Sequence, residues 1–321
     1  MFTSVLAICA LAAAVVPEKV AFFGDSITEG GRYLTHMQLF SALRHPGAGI
    51  ECYNVGKGGD TAKKDLKTVE LNRSMTELLK AHPEAGLVGG DRVHPTDAGQ
   101  YLMACLCLEA TGANPIVDRT TIDAAGRDVF DFEYAPKALP LPVTSLYKAI
   151  EKVWPVTERL NRELLTVRNL PAGRYALKAD GREIGRYSAA ELAAGVNLAL
   201  LDTPNARRAA RAEHLRARLH QIACDFRSDI RLVQRDALKA EERETRAALW
   251  AVRPAVSRFS VERLGGRQCL AAAAGDGHER LLHGERRRKG AGRLRAATAG
   301  GGLRLAGGRE PASVWRGLLR G

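Results

Sequence analysis

Hydrophobic and polar positions change period several times along the chain, and each change predicts an element. Residues 19–24 (Lys-Val-Ala-Phe-Phe-Gly) read as a short buried strand, and the Gly24-Asp25-Ser26 turn leads into a helix-compatible stretch from Gly31 to Leu43. A second strand over Ile50 to Val55 runs into the glycine cluster Gly56-Lys57-Gly58-Gly59. Residues 68–81 place Val69, Met75, Leu78 and Leu79 at helical spacing, and Leu87-Val88 starts a third strand. Thr96 can cap a helix over Asp97 to Ala110 whose apolar face includes Leu102, Met103, Leu106 and Leu108. Strand alternating with helix predicts α/β layers on a parallel sheet.

The pattern shifts after Gly112. Residues 112–252 open irregularly with several prolines, then carry a helix near Ser145 to Val153. Tyr175-Ala-Leu-Lys178 before Asp180-Gly181, with Glu183-Ile-Gly-Arg-Tyr187 after it, predicts a hairpin. Arg-rich amphipathic helices follow over Ala206 to Cys224 and Arg227 to Trp250, their charge balanced by Glu and Asp as on a solvated face. Periodicity is lost from Pro254 onward, so residues 253–321 are expected to be a disordered Arg/Gly/Ala-rich tail. Its composition resembles the out-of-frame reading of a GC-rich gene.

Charge has to be located before it is interpreted. Of the formal net charge of +12, the stretch from Arg253 to Gly321 contributes 15 Lys+Arg against 5 Asp+Glu, leaving the rest of the chain nearly balanced. The basic excess belongs to the tail, whose aromatics are only Phe259 and Trp315, too few for the interleaving of an arginine-rich RNA-binding segment. No nucleic-acid partner is expected. The apolar run Ser4 to Val16 is too short to span a bilayer and suits the hydrophobic region of a signal peptide over residues 1–16, although Met1 to Thr3 carry no basic residue. That run points to a secreted or periplasmic protein without an integral membrane span; a buried segment leading into the first strand is the alternative. The six cysteines have no C-x-x-C pair or zinc-type spacing, and Cys105 and Cys107 fall in an apolar helical pattern as buried thiols. No metal is implied.

Three segments carry chemistry. In Phe23-Gly24-Asp25-Ser26-Ile27-Thr28-Glu29-Gly30, a serine on a sharp strand-to-helix turn is open for attack, with its own backbone N–H available to a developing oxyanion. In Asp91-Arg92-Val93-His94-Pro95, the carboxylate can accept from one imidazole nitrogen while the other faces a serine. In Asn54-Val55-Gly56-Lys57-Gly58-Gly59-Asp60-Thr61, a glycine turn after a strand can aim a backbone N–H into the site. A serine in such a turn is more often a cap, and a histidine before proline more often a loop residue. Each motif here follows a predicted strand, however, which gathers all three at one edge of a parallel sheet. The other histidines, His36, His45, His82, His214, His220, His278 and His283, lack a partner at diagnostic spacing and are expected on the surface or satisfied in the core.

Together the three segments resemble the SGNH/GDSL hydrolase family over residues 19–111. The resemblance implies a three-layer α/β/α sandwich and an ester hydrolase without a cofactor. It makes Ser26 the nucleophile and first oxyanion donor, Gly59 a second donor, His94 the general base and Asp91 its orienting partner. Substrates would be small-molecule or carbohydrate esters. Residues 160–230, with Asn169-Leu-Pro-Ala-Gly173 and Ala193-Ala-Gly-Val-Asn-Leu198, also resemble an extension carried by bacterial members, so residues 17–111 are expected as the hydrolase domain and 112–252 as a helical and hairpin extension.

One block of the family is absent. Its G-x-N-D motif, whose Asn supplies a further oxyanion donor, should lie between the glycine turn and D-x-x-H, but Asp60 and Asp91 are only 31 positions apart, and one predicted helix and strand already fill that span. A βα unit takes about 30 residues. Gly89-Gly90-Asp91 contains no Asn, and Asn72 falls in a helical pattern. The sequence therefore predicts a truncated domain with a unit deleted around Thr61 to Thr68. A catalytically impaired or inert product of a damaged hydrolase gene is the alternative to an active esterase.

Overall fold

The computed structural model describes residues 19–48, 50–59, 69, 71–227 and 235–265. The signal-peptide run, the stretch Thr61 to Thr68 and the chain beyond Gly265 lie outside the described residues, as do Cys9 and Cys269. The architecture is mixed α/β.

The N-terminal part begins with β1 (Lys19–Phe22), α1 (Ser26–Gly30), α2 (Arg32–Arg44), β2 (Glu51–Asn54), α3 (Leu71–Ala81) and α4 (Asp97–Ala110). β1 and β2 pair in parallel with Phe22 opposite Asn54. Both α2 and α4 are buried on most sides, through Leu34, Met37, Leu39, Phe40 and Leu43 on one and Leu102, Cys105, Leu106 and Leu108 on the other. They pack against each other, and α3 lies on α4. The expected third strand does not form. Val88 makes only an isolated antiparallel bridge to Pro95, because the following Gly89-Gly90 turns the chain back at once. Among the described residues the parallel sheet therefore has two strands.

The middle of the chain departs further from expectation. It contains β3 (Ile116–Asp123), β4 (Val129–Tyr134), α5 (Ser145–Glu151), α6 (Val156–Leu160), β5 (Arg162–Arg168), β6 (Arg174–Ala179), β7 (Arg182–Ser188), α7 (Ala189–Ala194) and β8 (Val196–Asn197). The hairpin is present, joining β6 to β7 through Asp180 and Gly181 at φ 49° and 77°, the left-handed pair that a two-residue turn needs. It belongs to something larger. One sheet has the order β3-β5-β8, and a four-stranded sheet holds β4 and the hairpin. Their inward residues form one core, including Phe130, Tyr134, Leu165, Val167, Tyr175 and Leu177. The hairpin thus belongs to a β-sandwich, which the expected helical and hairpin extension did not include.

The chain then leaves the sandwich as α8 (Pro204–Arg227), which packs on α2, and α9 (Arg235–Ala251), which packs on α8. It returns as β9 (Ser257–Arg263), inserted between β4 and β6 in the four-stranded sheet. The boundary placed at residue 253 is thus corrected: residues 257–263 are an interior strand. Ser257, Phe259 and Val261 alternate inward, and the arginines between and after them face outward, so a period of two was hidden in an arginine-rich composition.

Candidate active site

The serine turn is built by a cap. Asp25 is the N-cap of α1, its Oδ1 accepting from the Ile27 amide at 2.9 Å, and its carbonyl accepts from Glu29 N at 2.9 Å. Capping by Asp25 relieves Ser26 of that role. Ser26 sits in the first helical position, exposed, and neither its hydroxyl nor its amide has a hydrogen-bond partner among the described residues.

The register of β1 and β2 brings the glycine turn alongside. The parallel ladder continues past both strands: Val55 N donates to Phe22 O and Lys57 N to Gly24 O, each at 2.9 Å. Gly56 then crosses the backbone of α1 so closely that a Cβ there would stand 2.4 Å from Glu29 N and 2.7 Å from Thr28 C, which only glycine avoids. A Cβ on Gly58 would lie 3.9 Å from Ser26 Cβ. Gly59 follows at φ 79°, exposed, with no hydrogen-bond partner for its amide among the described residues. Ser26 and the glycine turn are thus neighbours.

Asp91 and His94 form a second preassembled piece. Asp91 Oδ2 stands 2.7 Å from His94 Nδ1, while Oδ1 accepts from the amides of Val93 at 3.0 Å and His94 at 3.1 Å. The Val93 amide, then the His94 side chain, pull the exposed Asp91 carboxyl down to about 2. An ionised Asp91 orients the His94 ring through Nδ1 and leaves Nε2 outside that contact. The loop closes on itself through Gly89 N to His94 O at 2.8 Å and Thr96 N to Leu87 O at 3.0 Å, and Thr96 then caps α4 by accepting from Gly99 N.

The two pieces are linked by helix packing. Arg32 at the start of α2 pairs with Asp97 at the start of α4, and Tyr33 N donates to Gln100 Oε1 at 3.2 Å. Among the described residues no hydrogen bond joins His94 to Ser26.

Sequence reasoning missed Glu29 and Asn54 as parts of this architecture. Glu29 Oε2 accepts from Gly58 N at 2.8 Å, and Asn54 bridges by donating from Nδ2 to Glu29 O at 3.1 Å while Oδ1 accepts from Gly56 N at 3.0 Å. Both lie inside the quoted motifs, and the signal was a carboxylate three residues after the serine.

No family model and no curated protein matches the chain. A solved structure does. "BT4096 a gut microbial diltiazem-metabolizing enzyme" is similar with a TM-score of 0.66 at 20% identity, covering 77% of this chain and 98% of that chain. That likeness establishes a shared fold spanning the α/β part and the sandwich.

Among the described residues no group of three or more His, Cys, Asp or Glu could hold a metal ion, and no helix is long and apolar enough to cross a membrane. Burial pushes the Cys52 thiol up to about 11 and Cys107 to about 12, so neither offers a thiolate. His220 Nε2 accepts from Arg32 Nε at 3.0 Å. His36 is buried edge-on against Tyr101 with Nδ1 lacking a hydrogen-bond partner, so it is neither of the expected kinds, on the surface or satisfied in the core.

Proposed function

We propose that this protein is an ester hydrolase of the SGNH/GDSL type that works through an acyl-Ser26 intermediate. Residues 19–111 are its catalytic part, a three-layer α/β/α plan shortened by at least one strand. His94 Nε2 takes the Ser26 hydroxyl proton as Oγ attacks the ester carbonyl, and then delivers it to the departing alcohol. Water repeats the sequence to free the acid. The amides of Ser26 and Gly59 receive the charge that develops on the carbonyl oxygen.

The observation that supports this reading is the parallel ladder running past β1 and β2, which brings the glycine turn alongside Ser26, while the Ser26 hydroxyl and amide and the Gly59 amide have no hydrogen-bond partner among the described residues. A shared fold with a diltiazem-metabolizing enzyme supports a role toward small organic molecules. The substrate is a small-molecule or carbohydrate ester, and the apolar run Ser4 to Val16 directs the protein out of the cytoplasm.

A second reading, a catalytically impaired product, is favoured by the lack of a G-x-N-D block between Asp60 and Asp91. Losing one oxyanion donor costs about 10²–10³ in kcat. Both readings meet in one experiment: hydrolysis of short aryl esters together with fluorophosphonate labelling. Slow turnover and stoichiometric labelling of Ser26, both abolished in Ser26→Ala, are expected. Labelling on another serine would exclude the assignment, and ordinary enzymatic rates abolished by His94→Ala would show that the missing block has no consequence.

A further inference from the structure

We infer that Glu29 is a positioning residue that fixes which amide of the glycine turn serves the oxyanion, a role that rests on the esterase reading above. The glycine turn offers two successive amides, from Gly58, where a Cβ would lie 3.9 Å from Ser26 Cβ, and from Gly59 next along the chain. The Gly58 amide is already spent, since it donates to Glu29 Oε2 at 2.8 Å. The Gly59 amide has no partner among the described residues. An acceptor oxygen held at that distance fixes the direction of the Gly58 N–H, so the Glu29 side chain selects one orientation of the turn and leaves Gly59 as the donor.

The anchor is itself anchored. Glu29 belongs to α1, the same short helix that carries Ser26, and its backbone carbonyl accepts from Asn54 Nδ2 while Asn54 Oδ1 holds Gly56 N. Serine and glycine turn are therefore referenced to one rigid piece of backbone. In a parallel sheet, neighbouring strands ordinarily fix where such turns stand. Here β2 has β1 as its one described neighbour, and a side-chain clamp from α1 takes over that duty. The clamp also sets a carboxylate close to the oxyanion site, so its benefit lies in geometry rather than in charge.

Two readouts on the full-length chain test this: the second-order rate of Ser26 phosphonylation by a fluorophosphonate, and hydrogen exchange of the Gly58 amide. In Glu29→Ala the Gly58 amide should exchange faster and labelling should slow about 10- to 100-fold, since displacement of about 1 Å costs on the order of 10²-fold. Glu29→Gln retains an acceptor oxygen of the same reach and should label within about threefold of wild type, whereas Glu29→Asp, shorter by a methylene, should behave like the alanine variant. Should Glu29→Ala fail to fold, the Gln and Asp pair decides, and slow labelling in Gln with native labelling in Asp overturns the proposal. Wild-type labelling rates in Glu29→Ala with a freed Gly58 amide would overturn it while leaving the esterase reading in place. A wild-type chain that never labels at Ser26 would bring down both.

Discussion

The sheet beside Ser26 and the sheets of the sandwich treat their large side chains differently. Phe23 is 49% exposed, and Tyr53 and Val55 are each 45% exposed on and just after the two parallel strands. In the sandwich, Tyr175, Leu177, Phe259 and Val261 are at most 1% exposed. Full burial of such a side chain stabilises by about 1.5–3 kcal/mol, so the sandwich draws on packing that the small sheet does not have. Order at the site depends instead on polar local devices: the Asp25 cap, the Glu29 clamp, the Asp91 turn and the Arg32–Asp97 pair. Short-range hydrogen bonds thus fix the serine turn, the glycine turn and the Asp91 loop beside a sheet of two described strands.

The contrast can be broken most severely at β9. A chain ending at residue 253 removes a strand that pairs on both sides, and should lose the cooperative unfolding of the sandwich in calorimetry; a chain ending at Gly265 keeps every described strand and should retain it. Survival of the sandwich in the shorter chain would mean that β4 and β6 can pair without it. Single substitutions sharpen the difference. Phe259→Ala should cost about 3–5 kcal/mol in denaturant unfolding, while Phe23→Ala, half exposed, should cost about 1 kcal/mol or less. Equal losses would show that the small sheet is better packed than its exposure indicates.

A smaller effect separates the regions by pH. Glu163 of β5 is fully buried where α2 meets the sandwich: Oε1 accepts from Tyr134 OH at 2.9 Å, Oε2 has no hydrogen-bond partner, and Asp118 and the Arg44 guanidinium are the other charged groups facing it. Burial, opposed by the Tyr134 hydrogen bond, raises its carboxyl from the ordinary 4.5 to about 7. The folded chain then binds this proton more tightly than the unfolded chain. Its contribution is fully present below about 4.5, declines as pH rises toward about 7, and is level above that. Glu163→Gln should flatten this slope in unfolding curves taken from pH 4.5 to 8; an unchanged slope would assign it to other groups. Asp91 behaves oppositely. Its low value keeps it ionised throughout that range, so a pH–rate profile for ester hydrolysis should show no inflection from Asp91 above pH 4.

Legibility followed the same division. Around Ser26 the chemistry is written in contiguous motifs, and α4 spans Asp97 to Ala110 as its Thr96 cap and apolar face imply. The Asp180-Gly181 hairpin was legible for a similar reason, because a two-residue turn demands residues that tolerate positive φ. The sandwich was not. Its strands β3, β4 and β9 alternate inward residues with Asp, Glu and Arg, and the order β4-β9-β6 joins segments whose proximity no local pattern encodes. The third parallel strand was overread from Leu87-Val88, where two apolar residues before a glycine pair suffice for one bridge. Within the glycine turn, the hydrogen bond of Gly58 depends on a side chain from another element and could not be read from spacing.

The placement of β9 also governs when the protein can finish folding. Arg258 reaches Asp131 across 127 positions of sequence, and between those partners the chain makes the hairpin and then two helices that dock elsewhere, on α2 and on each other. A nascent chain emerging from the ribosome can complete its α/β part and the β3-β5-β8 sheet while β4 and β6 still wait, edges bare, for the last of the described strands. Contacts so distant in sequence slow folding and leave unpaired edges open to other chains in the interval. The vulnerable moment for this protein is thus late in its synthesis, and a stop or frameshift before residue 257 would make that moment permanent.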